Sequence, residues 1–187
     1  MERVDLLLVG DSITHSWEGG GKDVWSKHFA NYNTLNIGYS GDRTEHVLWR
    51  LQNDEVKDIS PKVAVVMIGT NNTGHRKDEP EDIALGIEAI LEQLKSRLPD
   101  TKVLLLGIFP RDKNPDGSLR KINDATNELI KEFADDERIW YLNINDKFLD
   151  DDGILPTAIM PDALHPNADG YEIWASAMRD SITALMK

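Results

Sequence analysis

The chain of 187 residues contains no cysteine. That removes disulfides, thiolate metal sites and a sulfur nucleophile together, and it suits a reducing or an oxidising compartment equally. Any nucleophile must be oxygen or nitrogen. Positive charge is also scarce, with 21 Lys and Arg against 33 Asp and Glu and a formal net charge of -12. Nucleic acids and anionic membrane surfaces both reward clustered Lys and Arg, so neither is an expected partner; a neutral or weakly charged small molecule is. Long hydrophobic runs are missing as well. None approaches the ~18 to 20 apolar residues of a membrane span, and Met1 to Val4 leads into a strand-length run instead of a signal-type core. The expectation is a soluble chain, cytoplasmic as it stands unless a leader or upstream domain has been lost from a terminus so close to a core strand. No repeat, low-complexity tract or linker divides the sequence, so residues 1–187 are expected to form one domain.

Hydrophobic residues make up 40% of the chain, enough for a substantial core. Apolar runs of strand length recur at Val4 to Val9, Leu35 to Ile37, Val63 to Ile68, Val103 to Ile108 and Ile139 to Ile144, each followed by turn residues. Helical stripes lie between them: Ile83, Ile87, Ile90, Leu91, Leu94 and Leu98 after the start signal at Pro80; Leu119, Ile122, Thr126, Leu129, Ile130 and Phe133; and Tyr171, Trp174, Met178, Ile182 and Leu185. Shorter helices fit Val24 to Phe29 and Arg43 to Leu51, the latter with Asp42 and Glu45 spaced as a capping pair. Strands alternating with helices imply parallel pairing, and runs without polar alternation imply cover on both faces. The predicted fold is an α/β three-layer α/β/α sandwich on a five-stranded parallel sheet in flavodoxin-like order.

In such a fold the loops after the strands build the site, and here they carry chemistry. Gly10-Asp11-Ser12 ends the first strand, Gly41 and Asp42 follow the second, Gly69-Thr70-Asn71-Asn72 follows the third, and Pro110-Arg111 follows the fourth. Asp162 and His165 precede the last helix. Serine attack on a carbonyl needs a base, a group that fixes the base's tautomer, and donors aimed at the oxyanion. Ser12 is the candidate nucleophile, His165 the base and Asp162 its partner, while the Ser12 and Gly41 amides and the Asn71 side chain are candidate oxyanion donors. Trp17 and Phe109 are candidate pocket walls and Arg111 a candidate substrate contact.

Those segments, in this order and spread over nearly the whole chain, resemble the four sequence blocks of the SGNH, or GDSL-type, hydrolases. The resemblance implies the same assignment of Ser12, Asp162 and His165, and an oxyanion hole of Ser12, Gly41 and Asn71. Ile13 replaces the leucine of the eponymous motif, at a position expected to pack. The stretches Gly41 to Asn53, Pro61 to Val66, Gly69 to Asn72, Gly86 to Ile90 and Gly107 to Arg111 are similar to the catalytic subunits of intracellular platelet-activating-factor acetylhydrolases. That similarity implies a short-acyl, acetyl ester substrate and a homodimer. The sequence also resembles bacterial sugar-acetyl esterases, so an acetylated sugar and an acetylated lipid both remain open as substrate.

Plainer readings stand beside each residue. Ser12 alone is a good helix N-cap, Asn71 alone a turn residue, and Asp11 a turn stabiliser acting through backbone hydrogen bonds. His15, His28, His46 and His75 are rival bases without a D-x-x-H partner. Asp146 and the acidic run Asp150 to Asp152 lack calcium-loop spacing and read as a solvated turn, and Gly19-Gly20-Gly21 lacks the lysine of a phosphate loop. No metal or cofactor is therefore expected. The function expected is a serine esterase; the alternatives are a lysophospholipase or thioesterase on the same scaffold, and a non-catalytic carbohydrate- or protein-binding module.

Overall fold

Successive residues of a strand point to opposite sides, so an apolar run without alternation must be covered twice. In the computed structural model, which describes residues 3–187, that cover is supplied by helices on both faces of one parallel sheet. Met1 and Glu2, included in the expected domain, lie outside the described residues. The elements run β1 (Leu6–Gly10), α1 (Ser12–His15), α2 (Lys22–Phe29), β2 (Thr34–Gly38), α3 (Thr44–Gln52), β3 (Val63–Met67), α4 (Thr70–Arg76), α5 (Pro80–Arg97), β4 (Lys102–Leu106), α6 (Ser118–Ile130), β5 (Ile139–Leu142) and α7 (Ala168–Leu185). The strand order is β2-β1-β3-β4-β5, the flavodoxin-like order expected.

Alternation along the strands divides the core in two. Leu6 and Leu8, with Val63, Val65, Leu104 and Leu106, pack against Val24 and Phe29 of α2 and Trp174, Met178 and Ile182 of α7. Leu7 and Val9, with Ala64, Val66, Val103 and Leu105, pack against Val47 and Leu51 of α3 and Ile83, Ile87 and Leu94 of α5. Parallel register places Leu8 beside Asn36 on one side and Val65 on the other. The apolar runs outlast the ladders: Ile68, Ile108 and Ile144 lie beyond their strands yet remain buried under the helices.

Two local expectations are corrected, and one helix was not anticipated. The N-cap of α3 is Arg43, not Asp42, and the reciprocal bond comes from His46, whose Nδ1 accepts from the Arg43 amide at 3.1 Å. Asp42 instead binds Arg50 (2.9 Å), and Glu45 binds Arg43 (2.7 Å). Of the expected stripe of α6, Thr126 and Ile130 are buried and Ile122 and Phe133 pack against the core, but Leu129 is exposed, and Arg120, Asn123 and Asn127 share the buried face. This face meets loop carbonyls, which need donors, more than it meets apolar sheet. Helix α4 had no hydrophobic signal at all, because its buried residues are Thr70, Asn71, Asn72 and Thr73.

Helices α3 and α5 approach closely at Gly86, where an added Cβ would lie 2.5 Å from Thr44 Oγ1 and 2.7 Å from its Cβ. Alanine is ordinarily the better helix former by about 1 kcal/mol, but overpacking against a fixed neighbour costs about 1–3 kcal/mol. Gly86→Ala is therefore expected to destabilise the fold, read as a lower urea midpoint with unchanged m-value.

Candidate active site

The chain leaves β1 toward β2 on one side and returns to β3 on the other, so the carboxyl ends of these adjacent strands flank a crevice. Ser12 follows β1 and Asn71 follows β3. The cap of α1 is Asp11, whose Oδ1 accepts from the Ile13 amide at 3.0 Å; Ser12 is the first helical residue and does not cap. Its hydroxyl is free to face the loop before α7, and Ser12 Oγ lies 2.9 Å from His165 Nε2. His165 Nδ1 in turn lies 2.6 Å from Asp162 Oδ2. A carboxylate can only accept, so Nδ1 carries the hydrogen and Nε2 turns its lone pair toward Ser12.

The Asp162–His165 turn is held from within. Asp162 Oδ1 accepts from the amides of Leu164 (3.1 Å) and His165 (2.7 Å), and Ala163 between them adopts a left-handed φ of 55°. For a residue with a Cβ that conformation costs on the order of 1–2 kcal/mol, which the three hydrogen bonds on one carboxylate offset. Partial burial pushes the Asp162 carboxyl up, but bonds from the His165 ring and the two amides outweigh it and hold the group below its ordinary range.

The two other loops are tied to each other. Asn71 donates one amide hydrogen to the Asp42 carbonyl at 2.9 Å, which leaves the second for the crevice. Asn72 accepts from the Thr44 amide at 3.0 Å and donates to Thr44 Oγ1 at 3.0 Å. Gly41 has φ of 82° and no atom within 4 Å of the place a Cβ would occupy, so its open side faces no protein. Behind this frame Thr73 donates to Asn123 (2.7 Å), which donates to the Phe109 carbonyl (3.1 Å), and Asn127 brackets the Ile108 amide and carbonyl at 2.7 and 2.9 Å. The sequence reading missed Asn72, Asn123 and Asn127; polar residues at helical spacing on the inner face of α6 were the available signal.

Arg111 lies at the same edge, half-buried, with Nη1 donating to the Thr70 carbonyl at 2.8 Å and the charges of Asp11, Asp112 and Asp162 acting on it. Trp17 and Phe109 do not line the crevice as free walls. Both are 2% exposed within an aromatic cluster, Trp17 against Tyr171 and Trp174 and Phe109 against Phe148 and Trp174. Trp17 also edges a separate concavity with Leu8, Trp25, Thr34 and Asn36, whose walls include none of Ser12, Asn71 or His165. Of the rival histidines, His15 is exposed, His28 binds Glu172 at 2.8 Å, and His46 and His75 lie against Arg43. Among the described residues no group of three His, Asp or Glu side chains is placed to hold a metal ion, and no helix is long and apolar enough to cross a membrane.

A serine-bearing turn at the switch point of a flavodoxin-like sheet, facing a histidine paired to a carboxylate, is an arrangement found among α/β hydrolytic folds. Residues 8–173 match the model of the GDSL-like lipase/acylhydrolase family, and the chain belongs to that family. It is 36% identical over 184 residues to the platelet-activating factor acetylhydrolase IB subunit alpha2 of Rattus norvegicus, covering 98% of this chain and 78% of that one. The alpha1 subunit of Homo sapiens is 35% identical over 186 residues, covering 97% and 77%. In fold it resembles the acetylxylan esterase Axe2 of Geobacillus stearothermophilus (TM-score 0.75, 18% identity, 96% and 94% covered). A GDSL-like lipase of Bacteroides thetaiotaomicron is equally similar (TM-score 0.75, 22% identity, 96% and 88% covered).

Asp11, beside Ser12, is 1% exposed, and its Oδ2 has no hydrogen-bond partner. Burial, reinforced by Asp42 and opposed by the Ile13 amide, His165 and Arg111, pushes its carboxyl up to about 7. A raised folded value means that the folded state holds a proton which the unfolded state releases near pH 4, so this group costs stability as pH rises from about 4 to about 7. The neutral isostere in Asp11→Asn escapes that cost while keeping an acceptor for the Ile13 amide. The stability of the variant relative to the parent is expected to rise by on the order of 1 kcal/mol or more between pH 4 and pH 8, measured by urea unfolding at each pH.

Proposed function

We propose that the chain is a serine esterase that removes a short acyl group, acetyl in the first instance, through an acyl-enzyme. The observation that carries this reading is the continuous relay of Ser12 Oγ to His165 Nε2 at 2.9 Å and His165 Nδ1 to Asp162 at 2.6 Å. His165 takes the Ser12 proton as Oγ attacks the ester carbonyl, and Asp162 stabilises the imidazolium that forms. The tetrahedral oxyanion is received by the Ser12 and Gly41 amides and the spare Asn71 amide hydrogen. Collapse expels the alcohol, protonated by His165; water, deprotonated by His165, then attacks the acyl-Ser12 carbonyl, and the acid leaves as Oγ regains the proton.

Acetyl is favoured because the relatives matched over almost the whole chain carry the name acetylhydrolase. The same loop frame supports the donor assignment, since the Asn71–Asp42 bond holds one donor against the loop bearing another. Each step is served by side chains and amides of this chain.

Ser12→Ala is expected to fold normally and to lose p-nitrophenyl acetate turnover by about 10⁴-fold or more, and an organophosphate reagent is expected to label Ser12 stoichiometrically. Undiminished turnover in the variant would refute the nucleophile. Asn71→Ala is expected to lower kcat by about 10²- to 10³-fold with little change in KM. Across p-nitrophenyl esters from acetyl to decanoyl, kcat/KM is expected to fall with length; a rise toward decanoyl would indicate a lysophospholipase or thioesterase.

A further inference from the structure

Large apolar side chains are mostly buried here, and Trp49 is an exception at 62% exposed. It stands on α3 at the edge of a concavity of about 260 Å³ whose other walls are Ser40, Gly41, Asp42, His46 and Arg50. Gly41 is the oxyanion donor proposed above and the Asp42 carbonyl is bonded to Asn71, so this hollow adjoins the proposed oxyanion loop, while its walls include none of Ser12, Asn71 or His165. We propose that it is the subsite for the leaving alcohol, and that it takes a neutral sugar ring stacked on the Trp49 indole.

The wall chemistry selects that occupant. A pyranose offers a flat C–H face bordered by hydroxyls, and the hollow offers one aromatic face bordered by hydrogen-bonding groups. Arg50 is fixed in place: its guanidinium carbon lies 3.8 Å over the Tyr39 ring, while Nε and Nη2 donate to Asp42 at 2.9 and 3.5 Å. Among the described residues Nη1 has no partner, so the guanidinium in this wall keeps hydrogen-bonding capacity to spare. His46 adds a polar ring edge to the wall, with Nδ1 accepting from the Arg43 amide at 3.1 Å and Nε2 lying 3.4 Å from Arg43 Nη2. Ser40 adds a hydroxyl that can donate or accept.

A lipid fits less well. An acyl or alkyl chain needs continuous apolar wall, and Trp49 is the one apolar side chain in this hollow. A choline headgroup needs an aromatic cage without competing positive charge, whereas here a guanidinium is built into the wall and the one carboxylate, Asp42, is already bound to it.

The assignment rests on the esterase reading, but its test does not need turnover. Ser12→Ala protein is titrated with xylotetraose, cellotetraose and phosphocholine to about 10 mM, the range of a millimolar subsite, while tryptophan fluorescence is followed. At least one tetrasaccharide is expected to give a saturable change that disappears when Trp49→Phe is added, and phosphocholine is expected to give none. The proposal is overturned by a flat titration with both sugars, by a change that survives loss of Trp49, or by a saturable phosphocholine response through Trp49. It is also overturned if sedimentation shows a dimer that Trp49→Lys dissociates, because the indole is then a subunit contact. In active protein, Trp49→Ala is expected to lower the ratio of kcat/KM for an acetylated xylo-oligosaccharide to that for ethyl acetate about tenfold. Sugar binding through Trp49 without ester turnover refutes the esterase, and with it the leaving-group role, but leaves the sugar site; turnover with flat sugar titrations refutes the sugar site and leaves the esterase.

Discussion

A parallel sheet ends in backbone groups that no further strand pairs, and buried N–H and C=O groups without partners are costly. Here asparagine side chains take over those groups. Asn71 binds the Asp42 carbonyl, Asn72 the Thr44 amide, Asn123 the Phe109 carbonyl, and Asn127 both polar groups of Ile108. An amide carries donors and an acceptor on one rigid plane, so a single side chain can fix two strands of loop at once. The loops that bear Gly41, Asn71 and Arg111 are thereby tied to one another and to the scaffold.

This satisfied polar layer explains where charge is tolerated and where it is not. Arg120, 2% exposed, donates to the carbonyls of Arg111 and Asp112 at 2.9 Å each and so extends the same device to the β4–α6 loop. Asp11 is the contrasting case, with one oxygen used in the α1 cap and the other buried without a partner. A carboxylate left in that state beside Ser12 is sensitive to every nearby charge, and His165, Asp42 and Arg111 all act on it. Buried groups of this kind cluster where a protein has work to do, since elsewhere selection for stability removes them.

Much of this was legible from residues alone, for identifiable reasons. The strands declared themselves by uninterrupted apolar runs, and polar residues immediately after them marked one edge of the sheet, so the strand ends that carry Ser12, Gly41 and Asn71 could be read before any coordinate. What failed depended on partners distant in sequence. The polar inner face of α6 looks like a surface until the loops it binds are in place, and α4 buries hydroxyls and amides that hydrophobic periodicity cannot register. Trp17 and Phe109 looked like pocket walls because they adjoin site loops, yet strand direction and the packing of α7 carried both rings inward. The cap of α3 moved by one residue because Asp42 had a stronger partner in Arg50.

The strained turn at Ala163 couples Asp162 and His165 more tightly than a shared surface would. Four consecutive residues carry the ring, the carboxylate that orients it, and the amides that grip that carboxylate. The imidazole and its orienting group therefore owe their mutual geometry to contacts inside this segment alone. The tautomer of His165 is thus set within its own four-residue turn, and only the 2.9 Å contact with Ser12 depends on how that turn sits against β1.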